Sequence, residues 1–161
     1  MGVKFRTTRF GELDLPPERI FEFPQGLIGF SEVRRFALVE NPKGGPFEWL
    51  QAVEFPDLAF VVTDPLFFFP EYRVPVRVED LKGIGAESVN DAVVVVILVV
   101  PRDPRGITAN LQGPVVINLR TRMGCQLVLD VPGYTTSHPI FGGGEEAMER
   151  QEAARAEEAS C

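Results

Sequence analysis

The sequence is poor in the residues that metal binding and nucleophilic catalysis use most. It has one histidine, His138, and two cysteines, Cys125 and Cys161, among 161 residues. The cysteines lie far apart in the chain, which is neither a disulfide framework nor the spacing of metal ligands. We therefore expect a protein of the reducing cytoplasm that holds no metal ion.

Long hydrophobic runs are missing as well. The longest apolar run, residues 92–100, is far shorter than the roughly 20 residues that a helix needs to span a bilayer. The amino-terminal residues 1–6 lack the apolar core of a signal peptide. Neither export nor insertion into a membrane is expected.

Basic charge is scarce. The net charge is −7, and more than half of it lies in residues 142–161, where six glutamates face two arginines. Nucleic-acid binding depends on clustered Lys and Arg that displace counterions from phosphates, so no direct contact with nucleic acid is expected. Acidic charge suits a basic protein partner, and plain solubility is the simpler alternative.

No motif points to an enzyme. His138 stands between Ser137 and Pro139, where closing a loop is a simpler role than acting as a base. The glycines at 142–144 lack the Lys-Ser/Thr of a phosphate-binding loop, and Gly26-Leu27-Ile28-Gly29 lacks the strand–turn–helix setting of a dinucleotide site. We expect turns at both places and no catalytic site.

Short strand-like runs dominate the chain, separated by fourteen prolines and fifteen glycines. Helical periodicity is confined to short stretches near 79–82 and 87–91 within the first 141 residues. This pattern predicts an all-β fold, a single small antiparallel barrel or roll-like domain with very little helix. The predicted strands are 3–10, 12–15, 19–23, 34–40, 46–54, 58–64, 66–69, 92–100, 113–120 and 125–130.

Two of these elements should form the core. Residues 92–100 are a continuous, mostly β-branched run, which predicts a central strand covered on both faces. Val115 to Asp130 predicts a hairpin, with its bend at Thr121-Arg122-Met123-Gly124. We expect Gly124 to supply a positive φ at that bend.

The chain divides at residue 141. Residues 1–141 are expected to be the β domain. Residues 142–161 begin with three glycines and continue rich in Ala and Glu, which predicts a marginal helix or a disordered end with little apolar surface to bury.

Aromatic side chains concentrate between Phe47 and Tyr72. Core packing is the simplest interpretation of Phe47, Trp49 and Phe60, because a small barrel needs large side chains to fill it. Three consecutive rings, Phe67, Phe68 and Phe69, cannot all point inward from an extended chain. Strand alternation predicts that either Phe68 alone or the Phe67/Phe69 pair faces outward, next to Pro70 and Tyr72, as an apolar contact patch.

Three blocks of the sequence carry a resemblance to a known family. They are residues 47–72, Phe23-Pro24-Gln25-Gly26-Leu27-Ile28-Gly29-Phe30, and Thr108-Ala109-Asn110-Leu111-Gln112-Gly113-Pro114. In their order along the chain they resemble the blocks of the bacterial flagellar assembly factor FliW family, over roughly residues 3–140. Ala52 and Phe55 stand where family members tend to carry Ser and Asp, and residues 142–161 are an addition.

This resemblance implies a function. Family members bind flagellin in the cytoplasm and, when flagellin is scarce, bind the carbon storage regulator CsrA, an RNA-binding translational repressor, which relieves repression of flagellin synthesis. No cofactor is implied. The family blocks at 47–72 and 108–118 direct attention to five candidate contact residues: Phe67, Phe68, Phe69, Tyr72 and Asn110.

Two alternatives remain open from the sequence. A stand-alone flagellin chaperone would bind flagellin and ignore the regulator. A small-ligand β-barrel would instead arrange Trp49 and its neighbours around an internal cavity.

Deleting residues 142–161 should leave the free energy of unfolding within about 0.5 kcal/mol, because that segment has little apolar surface to contribute. Denaturant unfolding of the full-length and shortened chains measures the difference. A larger fall of the midpoint at unchanged slope would show instead that the segment docks on the body.

Overall fold

The structure is a computed structural model that describes residues 2–75 and 77–140. The predicted tail, residues 142–161, lies outside the described residues. The prediction of a marginal helix or disordered end there therefore stays a prediction.

The described residues form an almost entirely β structure, as predicted, with eleven strands and one short α-helix. The helix, α1, spans Val78–Leu81, and 3₁₀ turns follow at Lys82–Ile84 and Val89–Asp91. The strands are β1 Val3–Thr7, β2 Gly11–Leu15, β3 Ile20–Glu22, β4 Arg35–Glu40, β5 Phe47–Ala52, β6 Ala59–Thr63, β7 Val93–Val99, β8 Thr108–Ala109, β9 Val115–Asn118, β10 Met123–Gln126 and β11 His138–Pro139.

Seven strands close into a barrel. Their order is β7, β6, β5, β4, β3, β10 and β9, and β9 pairs again with β7. Neighbouring strands are antiparallel except β3 and β10, which run parallel and share a single residue pair, Met123 with Glu22. Strands β8 and β11 extend the sheet beyond β7, and β1 with β2 forms a separate hairpin.

Strand β7 confirms the predicted central strand. One of its edges pairs with β6, and the other pairs first with β9 and then with β8. Val95 and Val96 are both buried although they point to opposite faces of the sheet. The β-branched run therefore lies between two layers of side chains, which is why it shows no polar alternation.

Side chains fill the barrel and cover one of its outer faces. The interior core draws residues from six of the seven barrel strands, all but β10, and from the chain between β3 and β4: Phe21, Phe23, Leu27, Val33, Phe36, Leu38, Leu50, Ala52, Val62, Val95, Val115 and Ile117. An outer core lies on the other face of β7 and β9: Tyr72, Leu81, Ile84, Ala86, Val96, Leu98, Ile107, Ala109, Leu111, Val116, Leu127 and Leu129. The β1–β2 hairpin packs over a third cluster that contains Phe5, Ala37 and Val53.

The three rings interpreted as core residues are all packed, each at a different place in the structure. Phe60 lies against the interior core, with its ring centroid 5.2 Å from Phe30 and 6.2 Å from Phe36. Phe47 packs against the outer core. Trp49 meets the edge of Phe10 at 5.5 Å, on the side covered by the amino-terminal hairpin.

The predicted hairpin at Val115 to Asp130 is confirmed, but its bend differs from the prediction. The pairs run from Met123 with Asn118 to Gln126 with Val115. Gly124 is therefore inside β10, and Arg122 takes the positive φ, at 59°. The glycine serves packing instead, because a Cβ on Gly124 would lie 2.5 Å from the Phe23 ring.

One predicted strand is wrong. Residues 66–69 lie in a 3₁₀ turn, Pro65–Phe67, and the residues just after it. Strand alternation therefore does not select the outward ring, and the turn itself decides which ring faces solvent.

Replacing Gly124 with Ala should lower the free energy of unfolding by about 1–3 kcal/mol, because the added methyl group forces the Phe23 ring out of its place in the core. Chemical denaturation measures the change. Gly83→Ala is the matched control, since nothing lies within 4 Å of its added Cβ and its φ is not positive. Equal stability of the two variants would contradict this role of Gly124.

Candidate partner-binding site

The aromatic segment after β6 is a compact pair of turns. The Asp64 carboxylate accepts a hydrogen bond from the Leu66 backbone N–H at 2.9 Å, and Pro65 occupies the first turn position. The Phe69 N–H then donates to the Pro65 carbonyl at 2.8 Å, and the Tyr72 N–H to the Phe69 carbonyl at 2.9 Å. An Asp before a Pro favours such a turn because its side chain replaces a backbone partner.

Phe67 is the ring that faces solvent. Its side chain is 67 % exposed, and the neighbouring Leu66 is 52 % exposed. Large apolar side chains held outward in adjacent positions of a capped turn are typical of contact surfaces. Of the five candidate residues, Phe67 alone belongs to the exposed large hydrophobic residues of the described chain.

Phe68 and Phe69 are half-buried and packed. The Phe68 ring stacks on Phe47, with centroids 6.0 Å apart and planes within 14°. The Phe69 ring lies edge-on to the His138 ring at 5.1 Å and packs against the outer core. These contacts hold the turn on the body, so both rings support the position of Phe67.

Tyr72 is buried and anchors the end of the segment. Its hydroxyl donates to the Leu111 carbonyl at 2.6 Å, and its ring lies 4.8 Å from the ring of Tyr134. Burial, with a smaller contribution from Tyr134, raises the pKa of Tyr72 well above its ordinary value. The hydroxyl therefore stays protonated and remains a hydrogen-bond donor.

Asn110 lies next to this anchor and faces a different surface. Its side-chain oxygen accepts from the Gly113 N–H at 2.8 Å, which closes the turn before β9. The side chain also lines a groove of about 280 Å³ at the mouth of the barrel, together with Phe60, Ile97 and Val128. The structure thus joins Asn110 to Tyr72 through the neighbouring Leu111 and directs it away from the aromatic turn.

The sequence interpretation missed two exposed apolar residues at the barrel mouth. Ile28 is 60 % exposed and Val128 is 71 % exposed. The turn predicted at Gly26-Leu27-Ile28-Gly29 is present, with Leu27 buried and Phe30 39 % exposed. The alternation of Leu127, Val128 and Leu129 carries the missed signal, because the middle residue of such a triplet faces away from the core.

The loop at the mouth is held by an amide. The Gln126 side chain donates to the Gly113 carbonyl at 2.9 Å and accepts from the Ile28 N–H at 2.8 Å. Gly26 and Gly29, with φ of 64° and 84°, give the loop its sharp path. These contacts fix Ile28 in its outward position.

His138 and Cys125 lie in structural settings. His138 sits in β11, paired with Ala109. Burial raises the pKa of the Cys125 thiol, and the nearby Asp80 carboxylate raises it further, which disfavours the reactive thiolate. Within residues 2–75 and 77–140, no three His, Cys, Asp or Glu side chains gather as a possible metal site, and no helix could span a membrane.

Comparison with known proteins settles the family. The family described as FliW protein matches residues 4–140, nearly the whole of the described chain. The chain belongs to the FliW family. Its relatives include the flagellar assembly factor FliW of Natranaerobius thermophilus, 42 % identical over 140 residues that cover 86 % of this chain and 93 % of the relative. The FliW of Leptospira interrogans is 39 % identical over 142 residues, which cover 88 % and 95 %.

A solved FliW structure has the same fold. A crystal structure described as that of the flagellar assembly factor FliW aligns with a TM-score of 0.80 at 34 % identity, and the match covers 88 % of this chain and 99 % of that one. The FliW fold is thus the seven-strand barrel described above. The chain is a flagellar assembly factor by family.

Truncating the three phenylalanines should separate them by stability. Phe69→Ala removes a ring from the outer core and should cost at least about 2 kcal/mol, whereas Phe67→Ala should stay within about 0.5 kcal/mol. Phe68→Ala should lie between them because it loses the stack on Phe47. Denaturant midpoints give the order, and a Phe67→Ala loss as large as that of Phe69→Ala would show that Phe67 is a core ring.

Proposed function

We propose that this FliW protein binds flagellin and, in a partner switch, binds and antagonises the RNA-binding translational repressor CsrA. Flagellin and the repressor would compete for it, so that free flagellin feeds back on its own synthesis. The observation that carries the proposal is the family match over residues 4–140. The action takes place in the cytoplasm and requires neither catalysis nor a cofactor.

Charge and shape support a protein partner. The chain is acidic overall, which favours encounter with a repressor that must display basic surface to bind RNA. We assign direct contact to Phe67, with Leu66 beside it. The other four candidates contribute by holding the structure in place. The aromatic turn is held by Phe68, Phe69 and Tyr72. The turn before β9 is closed by Asn110.

The packed barrel argues against a small-ligand carrier. Twelve buried residues fill the interior core, from Phe21 to Ile117. Trp49, which a carrier would place around a cavity, instead packs on Phe10 with the Arg9 guanidinium 5.7 Å from its ring. A stand-alone flagellin chaperone differs from our proposal only in its indifference to the repressor, so binding measurements distinguish the two.

We further propose that residues 1–141 suffice for both partners. The family match ends at residue 140, before the acidic segment 142–161. That segment would then add solubility or a secondary contact.

Phe67→Ala should weaken binding of flagellin or CsrA by about 2 kcal/mol or more, as expected for an exposed aromatic hot spot, and leave the melting temperature unchanged. Isothermal titration of the purified full-length chain with each partner measures the affinity.

Leu119→Ala is the matched control, because Leu119 is an exposed apolar residue on a different turn. It should bind both partners as the wild type does. Wild-type affinity of the Phe67→Ala variant for both partners would show that the aromatic turn is not the contact surface. Binding of flagellin alone by the wild type would favour the stand-alone chaperone.

A further inference from the structure

The barrel has a weak seam between β3 and β10. Only one residue pair, Glu22 with Met123, joins these strands, supported by a hydrogen bond from the Glu22 N–H to the Arg122 carbonyl at 2.9 Å. Beyond that pair the chain leaves β3 into the loop 23–31, while β10 continues as extended chain. A surface groove of about 450 Å³ opens between them.

One edge of the chain that follows β10 faces this gap. The Leu127 and Leu129 N–H groups donate to the carbonyls of Pro114 and Gln112, at 2.9 Å and 2.7 Å. Backbone groups of alternate residues in an antiparallel strand point to opposite sides. The N–H and carbonyl groups of Gln126 and Val128 therefore point away from β9. Gln126 lines the groove at the seam, and Val128 lines the adjoining groove at the barrel mouth.

The loop across the gap leaves this edge open for pairing. The Ile28 N–H donates to the side-chain oxygen of Gln126 at 2.8 Å, and not to the Gln126 backbone carbonyl. Backbone groups at an open strand edge are a template for another strand. Val128, 71 % exposed, and Ile28, 60 % exposed, present apolar side chains beside the edge.

The groove has an apolar floor and an acidic end. Leu27, Ile84 and Leu127 contribute buried apolar surface to its lining. The charged residues that line it are Glu79 and Asp80, both acidic. Arg77 pairs with them at 3.9 Å and 3.8 Å, but its side chain is 81 % exposed, and such surface pairs contribute little free energy. A basic side chain from a partner can therefore replace Arg77.

We propose that an extended segment of a protein partner, carrying apolar residues and a Lys or Arg, adds as a strand to the Gln126–Val128 edge and places its cation at Glu79 and Asp80. The charge of the groove selects the occupant, since an acidic segment would meet like charge there. The inference rests on the proposed function, in which the repressor that binds RNA is the basic partner.

Two variants test the two parts of this site. Val128→Pro removes an outward N–H that the barrel does not use, and Glu79→Lys reverses the charge at the acidic end. Each should weaken binding of purified CsrA to the full-length chain by about tenfold or more. On binding of CsrA to the wild type, the amide protons of Gln126 and Val128 should become protected from hydrogen exchange.

Matched variants separate the site from general effects. Val128→Thr keeps the N–H, and Glu12→Lys makes the same charge change on the exposed face of β2, so both should bind CsrA as the wild type does. Thermal melting confirms that each variant is folded, and Glu79→Lys provides the test if Val128→Pro does not fold.

The outcomes are distinct. Wild-type affinity of both Glu79→Lys and Val128→Pro, or unprotected amides in the complex, would overturn the strand-addition site and leave the proposed function intact. Loss of flagellin binding with CsrA binding unchanged would overturn the basic occupant. Failure of the wild type to bind either protein would overturn the proposed function and this inference together.

Discussion

Closure of the barrel depends on strand β7. Its Val95 side chain lies in the interior core and its Val96 side chain in the outer core, so the strand is buried on both faces. Along one edge it pairs with β6, and along the other it pairs with β9 and then β8. Because β9 takes only the first half of that edge, the second half carries β8 and β11 outside the barrel. This division places the Leu111 carbonyl where it accepts the Tyr72 hydroxyl at the end of the aromatic segment.

The candidate surfaces are the parts of the barrel and its turns that other residues do not cover. The turn after β6 is fixed by Phe68 on Phe47, by Phe69 on His138 and by the Tyr72 hydroxyl on Leu111. Most of its aromatic surface is used for that attachment, and Phe67 remains outward. On the other side, the single pair between β3 and β10 leaves backbone groups and a groove exposed. The two candidate surfaces are therefore the outward Phe67 ring and the backbone edge at Gln126 and Val128.

Much of the fold could be predicted from the sequence because its signals are local. The β-branched run of β7, the hairpin after Val115 and the scarcity of helix each follow from periodicity and composition. The strand predicted at 66–69 does not form, because the turn that Asp64-Pro65 favours decides the backbone there in spite of the aromatic content. The prediction of a positive φ at Gly124 is wrong for a different reason. Its need for glycine comes from the Phe23 ring, a contact between residues about a hundred positions apart.

The site was less predictable than the fold. The sequence shows which residues are aromatic and which are polar. It does not show that Phe69 packs on His138 while Phe67 faces water. The open edge at Gln126 and Val128 depends on the path of the loop 23–31, which no pattern near β10 reveals. The family resemblance implies more about function than the individual residues do, because the choice of partner depends on surfaces formed by distant segments.

The central claim is a switch between two partners on one flagellar assembly factor. A preformed complex of the full-length chain with CsrA, labelled on the repressor and titrated with flagellin, tests it most directly by fluorescence anisotropy. The account predicts that flagellin releases the repressor, with anisotropy falling to the value of free CsrA. Anisotropy that stays at the value of the complex, or rises above it as a ternary complex forms, or absence of any initial complex with CsrA, would contradict it.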